Sequence, residues 1–130
     1  MDEPTFAENR IAQQVVDSAF MVHSALGPGL LESVYEHCLS HEFGLRNIAV
    51  KRQVTLPIHY KGARIDAGFR IDLLVGELVV VEIKAIDRLA PIHQAQLLTY
   101  LKVSECRLGL LINVNVRLVK DGVRRLVRST

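Results

Sequence analysis

Cysteine is scarce: Cys38 and Cys106 are the only two in 130 residues, they lie far apart, and neither belongs to a C-x-x-C pair. That scarcity excludes a readable disulfide framework or a four-thiolate iron-sulfur site, and it predicts a reducing, cytoplasmic setting. Long apolar runs are missing as well, so no stretch predicts a membrane span. The first ten residues, MDEPTFAENR, are acidic and polar and lack the basic segment and apolar run of a secretory signal. No repeat, low-complexity tract or linker interrupts the chain. The expectation is one domain over residues 1–130, large enough to bury roughly two thirds of the surface its unfolded form exposes.

Net charge is small too, at +2, too little to announce a nucleic-acid binder. Its placement is uneven. From Leu101 onward the basic residues are Lys102, Arg107, Arg117, Lys120, Arg124, Arg125 and Arg128, against only Glu105 and Asp121. This segment suits phosphate contacts, and equally suits an ordinary solvated face beside a hairpin.

What is present is clear periodicity. Ile11, Val15, Ala19, Val22 and Leu26 recur at helical spacing, predicting an amphipathic helix from about Glu8 to Leu26 that Gly27-Pro28-Gly29 ends. A second helix is predicted from about Leu30 to Phe43, with Gly44 as its left-handed cap. Extended segments follow from Ala49, with turns near Lys61-Gly62 and at Gly76, and Pro57 marks the first strand as an edge or a bulge. Pro91 opens a third helix over about Ala90 to Val103, then comes the buried-strand run LGLLINV. The last segment, VRLVKDGVRRLV, predicts a hairpin turning at Asp121-Gly122. Strands apolar on both faces need cover on both sides, so a central sheet flanked by helices is expected.

The stretch FRIDLLVGELVVVEIKA sets charges among apolar strand residues. A three-residue loop at Gly76, Glu77 and Leu78 predicts Val75 opposite Val79, Leu73 opposite Val81 and Ile71 opposite Ile83, on one apolar face. Asp72 then lies opposite Glu82, with Lys84 beside it. Two ionised carboxylates about 5 Å apart repel by on the order of 3 kcal/mol at an effective dielectric of about 20. Either Lys84 and Arg70 neutralise them as a salt-bridge cluster, or a divalent cation is held by the oxygens.

Further along, His93, Gln96 and Tyr100 share one face of the third helix, either as a site wall or as a partly exposed flank. Upstream, Gly29, Glu32 and Tyr35 stand at three-residue steps, so Glu32 and Tyr35 share a side of the second helix, as functional residues or as a cap followed by solvated polar residues. His37, Cys38 and His41 offer a rival zinc set, although Cys38 points away from the two histidines and a fourth ligand is unnamed.

The segments GPGLLESVYEHCL, RIDLLVGELVVVEIKA, HQAQLLTYLK, LGLLINV and KDGVRRLV resemble, in that order, the GxxExxY protein family, a branch of the PD-(D/E)XK nuclease superfamily. The likeness runs from about Ile11 to Val127. It implies an α/β, restriction-endonuclease-like fold, a central mixed β-sheet flanked by helices in the order α-α-β-β-β-α-β-β. The implied activity is hydrolysis of phosphodiester bonds in nucleic acid, DNA first, with Mg2+ or Mn2+ as cofactor. Position by position, the metal-binding acid falls on Asp72, the E-x-K on Glu82 and Lys84, the helical Q-x-x-x-Y on Gln96 and Tyr100, and the first-motif acid on Glu32. Asp72, Glu82 and Glu32 would hold the metal, Lys84 would position water or phosphate, and Gln96 and Tyr100 would orient the backbone or the metal shell. Ile71 stands where the motif's proline would precede Asp72, a departure that leaves the ligands untouched. Arg70, His93, Lys102, Arg124 and Arg125 are the expected nucleic-acid contacts, to backbone rather than bases. A homodimer or higher homo-oligomer is expected of so small a chain acting on two strands. The alternatives are a domain that keeps the fold but only binds nucleic acid or protein, and a structural subunit that binds neither metal nor nucleic acid.

Overall fold

The computed structural model describes residues 3–129. Helix α1 (Phe6–Leu26) begins earlier than its apolar stripe because Thr5 and Glu8 cap it reciprocally. The Glu8 amide donates to Thr5 Oγ1 at 3.1 Å and the Thr5 amide donates to Glu8 Oε1 at 2.7 Å. Ala12, Val15, Ala19 and Val22 are buried along one side, as their spacing predicts. Helix α2 (Glu32–Leu45) runs past Gly44, the expected cap, because the Arg46 amide still finds the Glu42 carbonyl at 3.2 Å. Asn47, at φ 59°, takes the left-handed conformation instead.

Tyr35, only 1% exposed, ties the two helices together. Its hydroxyl donates to the Gly27 carbonyl and accepts from the Leu30 amide at 3.4 Å, so one oxygen serves both sides of the connecting loop. Tyr35→Phe leaves both backbone groups without that partner and should lower stability by about 1–2 kcal/mol in urea denaturation. An unchanged midpoint would show that water replaces the hydroxyl at no cost.

Among the described residues five strands lie side by side in chain order: β1 (Val50–Tyr60), β2 (Ala63–Val75), β3 (Val79–Lys84), β4 (Leu108–Asn113) and β5 (Val123–Val127). All neighbours are antiparallel except β3 and β4, which run parallel and are joined through α3 (Pro91–Ser104). A parallel pair needs such a crossover. Pro57 sits on edge strand β1 where the register with β2 shifts between Leu56 and Ile58, so both expectations for it hold together.

The expected terminal hairpin does not form. Val119–Gly122 is a short 3-10 turn, and only Val123–Val127 of that segment is a strand. A two-residue hairpin turn of the Asp-Gly kind needs positive φ at both residues, and neither Asp121 nor Gly122 has it. Gly122 serves a close approach instead: a Cβ there would lie 2.0 Å from the Asn113 carbonyl oxygen.

Helices cover both faces of the sheet. Val15, Leu39 and Phe43 of α1 and α2 pack on Leu73, Val81 and Leu110, while Leu97 and Leu101 of α3 pack on Ile71, Val80 and Leu111. Cys38 packs with the first layer and Cys106 with the second, so the sheet separates the two free thiols. Among the described residues no helix is long and apolar enough to cross a membrane.

Candidate active site

The β2–β3 junction begins with the expected register, Val75 opposite Val79 and Leu73 opposite Val81. Gly76 and Glu77 take positive φ of 60° and 61° in the loop. Beyond Leu73 and Val81 side chains take over from backbone pairing. The Asp72 amide donates to Glu82 Oε2 at 2.7 Å, and the Ile83 amide donates to Asp72 Oδ2 at 2.8 Å. Each carboxylate thus satisfies a main-chain donor on the other's strand, which fixes the two acids against one another.

One part of the expected face is wrong. Ile71 lies in the α3 layer while Ile83 lies in the α1 and α2 layer. The change coincides with one on the neighbouring β1, where Gln53 has φ 52° and the ladder passes from Arg52 opposite Leu73 to Val54 opposite Ile71. A left-handed residue turns the following side chains to the other face of a strand.

Asp72, Glu82, Lys84 and Tyr100 line one open cleft of about 460 Å³, together with Gln53, Thr55, Phe69 and Arg70. The strand junction supplies the two acids, β3 carries Lys84 two residues beyond Glu82, and α3 lowers Tyr100 onto the opposite wall. Tyr100 meets the Phe69 ring edge-on at 5.4 Å between centroids. Glu82 is 5% exposed. Burial, reinforced by the charge of Asp72, pushes its carboxyl up to about 8. Burial also pushes Asp72 up, opposed by the Ile83 amide and aided by Glu36. The Tyr100 hydroxyl is raised by burial and by both carboxylates. Among the described residues no ion pair joins Lys84 or Arg70 to either acid, so the salt-bridge cluster is not the arrangement adopted.

The other expected residues are spread more widely. Glu32 lines a neighbouring cleft of about 220 Å³ that shares Asp72, Gln53 and Arg70 with the first, and its Oε1 accepts from the Ala85 amide at 3.1 Å. It therefore reaches the end of β3 without facing Glu82 across the main cleft. Gln96 is exposed on α3 and lies outside the cleft wall. His93 caps its own helix, its Nδ1 accepting from the Ala90 amide at 2.9 Å. Lys102 is exposed near Leu98, Val127 and Arg128. Arg124 donates to the Asp121 and Val123 carbonyls at 3.3 and 3.0 Å, whereas Arg125 bonds Asn9 of α1, as alternation on a strand requires.

Glu36 and Gln53, both beside Asp72, carried no functional expectation. Glu36, 6% exposed, pairs with Arg52 at 2.9 Å and accepts from the Gln53 side chain. Its position four residues after Glu32 was a usable signal, since both then share a helix face. Nothing in the sequence marks Gln53. The spacing of Gly29, Glu32 and Tyr35 also gains a physical reason. Gly29 turns the chain at φ 97°, Tyr35 straps that turn, and Glu32 ties the following helix to the end of β3.

Among the described residues no group of three or more His, Cys, Asp and Glu side chains gathers as a ready metal centre. His37 and His41 are exposed while Cys38 packs inward, so the rival zinc set does not assemble. The donors that do converge are carboxylate oxygens. Such a pair fits Mg2+ or Mn2+, which prefer hard oxygens and complete their shell with water and phosphate, better than it fits zinc.

The description of the PD-(D/E)XK nuclease superfamily matches residues 9–126, and the chain belongs to that superfamily. Its fold is the restriction-endonuclease-like one. The crystal structure of SSO0001 is similar at a TM-score of 0.51 and 21% identity, covering 95% of this chain and 60% of that one. That of an alkaline exonuclease, LHK-Exo from Laribacter hongkongensis, is similar at 0.52 and 16% identity, covering 99% of this chain and 73% of that one. The chain thus spans less than two thirds of the length of SSO0001. Among curated protein sequences none matches it.

Proposed function

We propose that the chain is a Mg2+- or Mn2+-dependent nuclease that hydrolyses phosphodiester bonds of DNA. The observation carrying this reading is the pair of neighbouring carboxylates, Asp72 and Glu82, bonded to each other's strands with, among the described residues, no cationic side chain in an ion pair with either. Two adjacent acids, one of them buried, resist ionisation until a cation joins them. Asp72 and Glu82 would hold that ion, with Glu32 on the far side of Asp72. When bound, it supplies Lewis-acid stabilisation of phosphate charge and an acidified water.

The remaining work falls to side chains. Lys84, on the cleft wall, attracts the scissile phosphate and orients the attacking water. Tyr100, its hydroxyl held protonated, donates a hydrogen bond into the cleft. Arg70 at the mouth meets the incoming backbone. Outside the cleft, the exposed Gln96, Lys102 and Arg124 engage phosphates singly rather than as one patch, while His93 and Arg125 are taken up by the Ala90 amide and by Asn9.

The test is incubation of the wild type with labelled single-stranded DNA, duplex DNA and RNA in Mn2+ and in EDTA. Cleavage of DNA in Mn2+ alone is expected; a protein that binds Mn2+ yet cuts none of them would be a non-catalytic member of the fold. If about four phosphates are contacted, affinity should fall about 100-fold between 50 and 200 mM salt, read by fluorescence anisotropy. Salt-independent affinity would rule out recognition through the backbone.

We also propose that the chain belongs to the GxxExxY branch, supported by the spacing of Gly29, Glu32 and Tyr35. A cytoplasmic location, supported by the two free thiols, and a homodimer, which sedimentation would reveal, belong to the same proposal.

A further inference from the structure

Gln53 stands out on β1. It is a non-glycine residue with φ 52° inside a strand, a conformation that L-residues avoid unless their surroundings impose it. Its side-chain Nε2 donates to Glu36 and faces Asp72 Oδ1 at 3.5 Å. Glu36 is itself buried and anchored by Arg52 at 2.9 Å. One amide nitrogen, with two hydrogens, therefore bridges two carboxylates without adding a charge. The reverse amide orientation would aim an oxygen at both acids, so the network selects the one observed.

The backbone of Gln53 matters as much as its amide. Arg52 is opposite Leu73 and Val54 is opposite Ile71, positions that share a face in a regular strand. Here Leu73 packs under α1 and α2 while Ile71 and Val54 pack under α3. The change of face falls at Gln53 and at Asp72, the residue across from it. Asp72 thereby sits at the divide between the two layers, with Oδ2 on the Ile83 amide and Oδ1 toward Gln53.

We propose that Gln53 is a positioning residue, whose left-handed backbone and Glu36-anchored carboxamide together hold the Asp72 carboxylate in the orientation the nuclease site needs. The consequence for activity rests on the metal-holding role proposed for Asp72, but the positioning itself does not. Its direct readout is hydrogen exchange of the Ile83 amide, which is protected only while Asp72 Oδ2 accepts from it.

The experiment compares wild type, Gln53→Gly and Gln53→Asn by amide exchange, Mn2+ titration calorimetry, cleavage kinetics and urea denaturation. Glycine accepts the backbone conformation and deletes the amide; asparagine tolerates the conformation and keeps a shorter amide. In Gln53→Gly the Ile83 amide should exchange about tenfold faster while that of Val81 is unchanged, with the urea midpoint no lower than in wild type. Mn2+ should bind about tenfold more weakly, and kcat should fall 10- to 100-fold with KM for the nucleic acid within about threefold, because the ion's ligand and not the strand's contacts has moved. Gln53→Asn should recover part of each loss. Unchanged Ile83 exchange in Gln53→Gly would overturn the proposal, as would losses that only track a lowered midpoint. If the wild type neither binds Mn2+ nor cleaves, yet Ile83 exchange accelerates in Gln53→Gly, the positioning stands and the nuclease reading falls.

Discussion

Glu82→Gln should abolish cleavage and yet make the metal-free protein more stable at pH 8. The substitution keeps shape and an oxygen able to accept from the Asp72 amide, a bond now at 2.7 Å. What it removes is an anionic ligand, and loss of such a ligand should lower kcat by about 1,000-fold or more, on the order of 4 kcal/mol of transition-state stabilisation. It also removes a buried carboxylate that faces Asp72, whose charge is the second largest influence holding Glu82 in its protonated form. A neutral amide escapes both the burial penalty and the repulsion, so urea unfolding in EDTA should show a gain of about 2 kcal/mol at pH 8. Stability and activity moving in opposite directions is the mark of a residue kept for chemistry. Near-normal cleavage by this variant would sink the assignment of Glu82, and a loss of stability at pH 8 would show that its carboxylate is structurally paired after all.

The second large effect is the pH dependence of the wild type itself. Glu82 is raised in the folded protein to about 8 from 4.5, and Asp72 is raised as well. Between those values the folded state holds more protons than the unfolded chain, so stability falls as pH rises. The contribution is full below the unfolded value and is lost as pH climbs through about 8. Such a shift, at about 1.4 kcal/mol per unit, is worth on the order of 4 kcal/mol. Urea midpoints in EDTA should therefore decline from pH 5 to pH 8.5, opposite in sign to acids held by salt bridges, which lose stability on acidification. Mn2+ at about 100 times its dissociation constant should return about 2.7 kcal/mol at the alkaline end. Midpoints that rise with pH in EDTA would mean that the pair is neutralised within the protein, leaving no call for a cation.

Much of this site was legible because local rules governed it. Alternation of apolar residues together with a three-residue loop set the register of Leu73 with Val81 and Val75 with Val79, and that register brings Asp72 and Glu82 to neighbouring positions. The helical stripe of α1, the edge and bulge at Pro57 and the opening of α3 at Pro91 follow from properties of single residues and their periods. Turn chemistry was less reliable. Gly44 looked like a cap and Asp121-Gly122 like a hairpin, but glycine permits many roles and only the neighbours choose among them.

The sequence by itself determined which residues are acidic, where the three helices run and how Leu73 and Val75 pair with Val81 and Val79, since these depend on composition and on periods of a few residues. Only the tertiary structure decided that Gln53 turns left-handed, that Ile71 crosses to the α3 layer, that His93 is engaged as a cap and that, among the described residues, no cationic side chain forms an ion pair with the two acids. The physical reason is range: periodicity acts between near neighbours in the chain, whereas the state of a buried carboxylate is set by whatever distant segments enclose it.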